Sequence, residues 1–263
     1  MKGYLHIIMS GILLCSQTVV AGDLVCSDPD AVALTDRGSV TDTPCVVPNK
    51  KVMIEGGYQY QNVIDTGTLS TFPQVQATLG LPKHTEMFVN VPNYIDQSRP
   101  HLSGATATNV GVKAEVFATT TWIVSGSGYV TIPGGSKAFG SDGTGETINV
   151  IALYHLNSKI SLATMLGGSS LVMPFDTGGD LFNSFNYSVS LGFAPVEKIA
   201  LFAEVFGQTK TSPVAGAGVD WNIGMLYVWN KHIVFDVEYA DRFSGAIGGF
   251  DNFVGAGVTM LLG

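Results

Sequence analysis

The chain has 263 residues, of which 46% are apolar and 13% charged, with 32 glycines and a mean hydropathy of +0.29. That is more apolar than a soluble protein of this size, yet past the N-terminal stretch no apolar run approaches the roughly 18 residues of a membrane-spanning helix. With 13 Lys and Arg against 21 Asp and Glu, the net charge of -8 excludes a strongly basic nucleic-acid binder. A hydrophobic surplus spread in alternation suits one membrane architecture, a β-barrel.

Residues 1–21 carry one cation, Lys2, an apolar stretch from Ile7 through Leu14, and a small-residue exit at Val19-Val20-Ala21. This predicts a cleaved secretory signal, cut before Gly22, over the alternatives of a buried first helix or a lipid-modified Cys15, which Leu14 disfavours. Residues 22–50 form an Asp-, Ser- and Thr-rich periplasmic segment ahead of a barrel over 51–263. Its cysteines, Cys26 and Cys45, are a candidate disulfide in an oxidising periplasm, worth about 3 kcal/mol by loop closure; the alternative is two unpaired thiols. No CxxC or His spacing for a metal accompanies them, and no cofactor motif appears elsewhere.

From Lys51 the chain alternates with period two, as in Val52 to Gln61, where Glu55, Gln59 and Gln61 share one face. The pattern recurs at Ser184 to Phe193, Gly218 to Trp229 and Ile233 to Ala240. In chain order the predicted strands are 51–61, 69–80, 85–91, 106–118, 122–132, 147–156, 160–170, 184–193, 199–208, 215–229, 233–240 and 252–262. That makes about 12 strands, most close to the ~9 to 11 residues of a tilted transmembrane strand. Short connections at 81–84, 119–121, 157–159, 194–198 and 230–232 alternate with mostly longer, Gly-, Ser-, Asp- and Pro-rich ones such as 92–105, 133–146, 171–183 and 241–251. The expected fold is an all-β, antiparallel up-and-down transmembrane barrel with both termini on the periplasmic side. Aromatics near strand ends fit two interfacial girdles: Tyr58, Tyr60, Phe185 and Tyr239 toward the loops, Trp122, Tyr154, Phe193, Tyr227 and Trp229 toward the turns.

Thr35-Asp36-Arg37, Thr41-Asp42-Thr43-Pro44, Val47-Pro48 and Glu55-x-Gly57 open a series of short motifs. It continues with Leu79-Gly80-Leu81 and Glu86, Gly111-x-Lys113, Ile132-Pro133-x-Gly135, Asp236 and Phe253-x-Gly255-x-Gly257. In that order they resemble the transporter-like outer-membrane barrels of the MetA pathway of phenol degradation. Departures from the family pattern are Gly38 for a proline, Thr78 for an arginine and Asn109 for an aspartate. The resemblance implies a bacterial outer-membrane channel or carrier for small hydrophobic compounds.

The polar parity assigns Glu55, Glu86, Glu115, Glu204, Asp220, Asp236 and Glu238 to the lumen, with Lys113 and Arg242 as the cations. A water-filled acidic bore favours cations; the alternative is a cross-linked, blocked bore. The same face carries Phe88, Phe117, Tyr129, Phe202 and Phe206, with Phe72 and Phe253, which either fill volume or form an apolar track for an uncharged aromatic solute.

The function expected is a channel or transporter for small solutes. Its partners are outer-membrane lipid, the barrel-assembly machinery and a small-molecule solute, with no nucleic acid. The alternatives are a closed barrel presenting its loops and an outer-membrane lipid-modifying enzyme. The enzyme needs a serine, a histidine and an orienting group within reach. Of His84, His101, His155 and His232, only His155 has inward parity, and none sits two residues from a serine on a lipid-facing strand. The final Val258, Met260 and Leu262 keep lipid-facing parity, although the chain ends without an aromatic residue.

Overall fold

The computed structural model describes residues 26, 29–65 and 67–263. The predicted signal over 1–21, with Cys15 and the cleavage point before Gly22, lies outside the described residues. Fifteen strands run in chain order: β1 (Val52–Val63), β2 (Thr68–Phe72), β3 (Gln76–Leu81), β4 (Thr85–Asn90), β5 (Tyr94–Gln97), β6 (Leu102–Ala105), β7 (Thr108–Ala118) and β8 (Trp122–Ile132). They continue with β9 (Gly145–His155), β10 (Ile160–Val172), β11 (Leu181–Val196), β12 (Ile199–Gln208), β13 (Gly218–Asn230), β14 (Ile233–Ser244) and β15 (Phe250–Leu262). The one α-helix among the described residues, α1 (Ala31–Leu34), is four residues long.

Each barrel strand pairs antiparallel with its neighbour, and the sheet closes where β15 meets β1, from Val52 opposite Leu262 to Asn62 opposite Asn252. The result is a closed 12-strand barrel with three extra strands. Closure removes the open edges that a membrane could not satisfy.

The extra strands arise from a break in the second wall strand, expected as one piece over 69–80. Pro73 has no N–H to give the ladder and Gln74 takes a φ of 49°, so pairing stops between β2 and β3. The loop-side part of β1 pairs with β2 through Gln59 to Asn62, and its turn-side part pairs with β3 through Val52 to Glu55. The predicted loop 92–105 contains the hairpin β5–β6, whose four-residue strands extend β2 outward.

The outward face is apolar along the strands, with Val112, Ile148, Val150, Leu166, Val189, Val205, Val237 and Val254 exposed. Tyr58, Tyr60 and Phe185 are exposed near the loop ends, and Trp122, Phe193, Tyr227 and Trp229 near the turn ends. Trp122 stacks on Tyr154 at 4.5 Å, and Tyr239 donates to Asp241 at 2.7 Å. An apolar band flanked by amphipathic rings matches a bilayer and its two interfaces.

The inward face is polar at mid-height, where Ser125, Ser127, Asn149, Ser169, Ser188 and Asn222 are buried. Toward the turns it becomes apolar. There Met53, Ile123, Val234 and Leu261 pack against Cys26, Leu34, Cys45 and Val47 of the N-terminal segment. Burying each large apolar side chain contributes about 1.5 to 3 kcal/mol, so this contact seats the segment inside the barrel. The N–H of Ala31 also donates to the Lys231 carbonyl at 2.9 Å, and Cys26 is disulfide-bonded to Cys45. The N-terminal segment over 22–50, for which the sequence leaves open a place in the bore or in the periplasm, therefore occupies the bore over much of its described length. A second apolar cluster, Phe206, Ala240, Ile247, Phe250 and Phe253, lies toward the loops.

Candidate functional site: the lumen and its N-terminal segment

Inward carboxylates of the wall receive the segment group by group. Glu55 accepts from the Thr35 hydroxyl at 2.7 Å and from the Asp36 N–H at 3.1 Å. Glu86 accepts the Val47 N–H at 2.6 Å, and Glu204 accepts those of Val40 at 2.8 Å and Thr41 at 2.7 Å. Lys113 lies 3.0 Å from Glu86, 3.3 Å from Asp36 and donates to the Thr43 carbonyl at 3.1 Å. An irregular segment in a barrel leaves backbone N–H groups unpaired, and carboxylates placed on the wall satisfy them.

Arg37 ties the segment to the β14–β15 wall next to β1, the strand that carries Glu55. Its guanidinium grips both oxygens of Asp236, at 3.0 and 3.2 Å, and donates to Gln74 at 3.4 Å. It lies over Gly57 and Gly257, which face each other across the β1–β15 seam, and a Cβ on either glycine would collide with it. Gly38 follows with a φ of 84°, and a Cβ there would stand 3.3 Å from the Phe202 ring. The dispersed motifs of the sequence thus meet in one place: Thr35-Asp36-Arg37 against Glu55, Gly57, Lys113, Asp236 and Gly257.

Burial pushes the Asp42 carboxyl up to about 8; Asp36 adds to the rise, Lys113 pulls the other way, and Glu55 and Glu86 add smaller increments. Asp42 stands on the segment beside a second anion, Asp36, which shares Lys113 with Glu86.

Three contiguous cavities of about 310, 330 and 290 Å³ remain on the loop side of the segment. A fourth of about 290 Å³ opens on its turn side among Leu153, His155, Ala200, Phe202 and Leu226. Arg37 and Ser39 line both the first and the fourth. The stretch Arg37 to Ser39 is therefore the partition between the two halves of the bore.

Of the expected lumen residues, Glu55, Glu86, Lys113, Glu204 and Asp236 hold the segment, and Glu238 lines two of the loop-side cavities. Asp220 accepts the Phe243 N–H at 3.2 Å, above the partition. Glu115 sits by the turns, 3.9 Å from His84 and away from the segment. Arg242 is not a lumen cation. It stands at the loop rim and pairs with Asp251 at 2.6 Å.

Phe88, Tyr129, Phe202 and Phe206 face inward and line cavities. Phe117 does not: a register shift between Glu115 and Phe117 reverses the parity of β7, leaving Phe117 53% exposed on the lipid side and Ala118 buried. Phe72 is likewise turned outward, 58% exposed, because the break after β2 resets the alternation. Among the described residues, no group of three or more His, Cys, Asp or Glu side chains is arranged to hold a metal ion.

In the sequence, Asp36, Arg37 and Thr41 are marked only by the family motifs, which assign them no role in the bore. The signal that pointed to them was apolar residues at inward parity near the turns, Met53, Ile123, Val234 and Leu261, which a wet lumen alone does not require.

The fold is that of porin-like outer-membrane barrels. Solved structures similar to it include an outer-membrane channel from Pseudomonas putida F1, at a TM-score of 0.65 and 8% identity, covering 82% of this chain and 97% of that one. The KdgM porin matches at a TM-score of 0.55 and 10% identity, over 79% of this chain and 98% of that one. The NanC porin matches at 0.55 and 12%, over 80% and 98%. No protein-family model and no curated protein matches the sequence.

Proposed function

We propose that the chain is a bacterial outer-membrane channel for small solutes, including hydrophobic or aromatic compounds, whose bore is partitioned by its own N-terminal segment. The observation that supports this reading is the pair of cavity systems on either side of Arg37 to Ser39, with Arg37 and Ser39 lining both. The inward rings Phe88, Phe202 and Phe206 give the path apolar surface, and the carboxylates around them give it a cation-leaning potential. The similar solved structures are porins and a channel, and KdgM has been solved in complex with oligogalacturonate. The phenol-degradation resemblance implies a small hydrophobic solute, and its motif residues Thr35, Asp36, Arg37, Glu55, Lys113 and Asp236 meet at the partition.

Outer-membrane lipid contacts the apolar belt, and the barrel-assembly machinery inserts the chain. Reconstitution into liposomes, with swelling measured in small neutral aromatics and current measured in salt, tests the proposal. Passage of neither would overturn it and favour the closed, loop-presenting barrel, a reading to which the capped carboxylates lend support.

A further inference from the structure

Glu238 differs from the lumen carboxylates that hold the segment. No Lys or Arg lies within ion-pair distance of it among the described residues, and no segment N–H donates to it, whereas Glu86 and Asp236 have both a place in the network and a cation. Its carboxyl lies over Gly255, where any Cβ would displace it, so its position is set by the wall. The charged groups nearest it are Arg37, which is bound to Asp236, then Asp236 itself and Glu204, which takes the backbone N–H groups of Val40 and Thr41.

Glu238 also stands at a boundary. With Ser39 and Gln59 it lines both the polar cavity beside the wall break and the neighbouring cavity of about 330 Å³. The second cavity has an apolar wall of Phe206, Ile247, Phe250 and Phe253, in which the Phe250 and Phe253 rings meet edge-on at 4.9 Å. Its other polar groups are the neutral amides of Gln59, Asn186 and Gln208 and the hydroxyls of Ser39 and Tyr187, so Glu238 is the one charged group lining it. A cavity whose lining combines an aromatic wall with a single carboxylate, Glu238 standing one inward position from Ala240 opposite Phe253, complements a molecule with an apolar ring and a positive charge.

We infer that this cavity is a binding site for small organic cations, an aromatic body against Phe206, Phe250 and Phe253 and an ammonium on Glu238. The inference rests on the channel reading and narrows it: the solute held on the loop side of the partition carries a cationic end. The ring supplies burial, and the charge-assisted hydrogen bond supplies orientation and discrimination against neutral isosteres.

The test compares three probes of nearly equal size, 2-phenylethylammonium, 2-phenylethanol and phenylacetate, titrated into the full chain in detergent by calorimetry. The expected order is ammonium over alcohol by about tenfold or more, with phenylacetate weakest. Glu238→Gln keeps the shape of the site and should bring ammonium and alcohol to within about twofold of each other. Phe250→Ala, at the loop end of β15, should weaken both probes together. Equal binding of ammonium and alcohol by the intact chain, a preference that survives Glu238→Gln, or no binding of any probe would overturn the inference. Conductance recorded on the same preparation separates the two readings: a conducting channel without the ammonium preference retains the channel and removes this site.

Discussion

Arg37 lies along the wall over Gly57 and Gly257 at the barrel seam and grips both carboxylate oxygens of Asp236 on the next strand, at 3.0 and 3.2 Å. The pair fixes the partition to the wall at a point remote in sequence from the segment. Removing one partner of a buried ion pair leaves the other charge unmatched, at a cost of about 3 kcal/mol. Asp236→Asn should therefore loosen the segment while leaving the barrel folded. Hydrogen exchange checks it: the amides of Val40, Thr41 and Val47, each donating to a wall carboxylate, should lose protection while amides of β10 and β11 keep theirs.

Gly257→Leu should have a comparable effect by sterics alone, because a side chain there occupies the place of the guanidinium. Loss of protection at Val40 and Thr41 without loss of barrel heat resistance in gel electrophoresis is the expected result. Unchanged protection would mean that Arg37 does not depend on the space over Gly257.

Much of the wall was legible in the sequence, because side-chain direction follows parity wherever a strand is regular. Ser184 to Phe193 illustrates this: Ser184, Ser188 and Ser190 are buried inward, while Phe185, Val189 and Phe193 face out. Phe117 and Phe72 were misplaced for one physical reason, a lost or added residue in the ladder that reverses every side chain beyond it. The hairpin β5–β6 escaped notice because four-residue strands show too few alternations. The candidate site was half legible. Its wall carboxylates stood out by parity, but their partners lie on an irregular segment with no period to read, and only the family motifs marked Thr35-Asp36-Arg37.

The disulfide holds Cys26 to Cys45 across a separation of 19 residues, and both cysteines are buried in the turn-side core. Cys26→Ser with Cys45→Ser should weaken docking of the segment by about 3 kcal/mol on the loop-closure model. The measurement is limited proteolysis in detergent: cleavage between 26 and 50 should be faster in the double variant, with the barrel fragment 51–263 intact.

Docking should also depend on pH through Asp42. Its carboxyl, raised to about 8 in the docked segment, titrates near 4 when released. The contribution is fully present below about pH 4, declines as pH rises, and is gone above about pH 8, because over that range the released carboxyl has lost its proton while the docked one keeps it, so docking must take up a proton. Asp36, Glu55, Glu86 and Lys113 surround it, so Asp42→Asn isolates the effect. Hydrogen exchange of residues 40–47, corrected for its intrinsic rate, should show a loss of protection from pH 5 to pH 8 that is smaller in this variant.

The two lipid-facing positions Phe117 and Leu262 give a test of register. Leu262 is 51% exposed in β15, and Phe117 faces out only because of the irregularity in β7. Leu262→Asp and Phe117→Asp should both impair membrane insertion, since each places a charge against lipid or its interface. Wild-type recovery of Phe117→Asp in outer-membrane fractions would return that ring to the lumen.

Single-channel current of the full chain in a planar bilayer, compared with that of Arg37→Ala, tests the partitioned channel most directly. The expected result is a small, cation-leaning conductance for the intact chain and a larger one, with more frequent openings, for Arg37→Ala. A silent intact chain that stays silent when Arg37 is removed would contradict it.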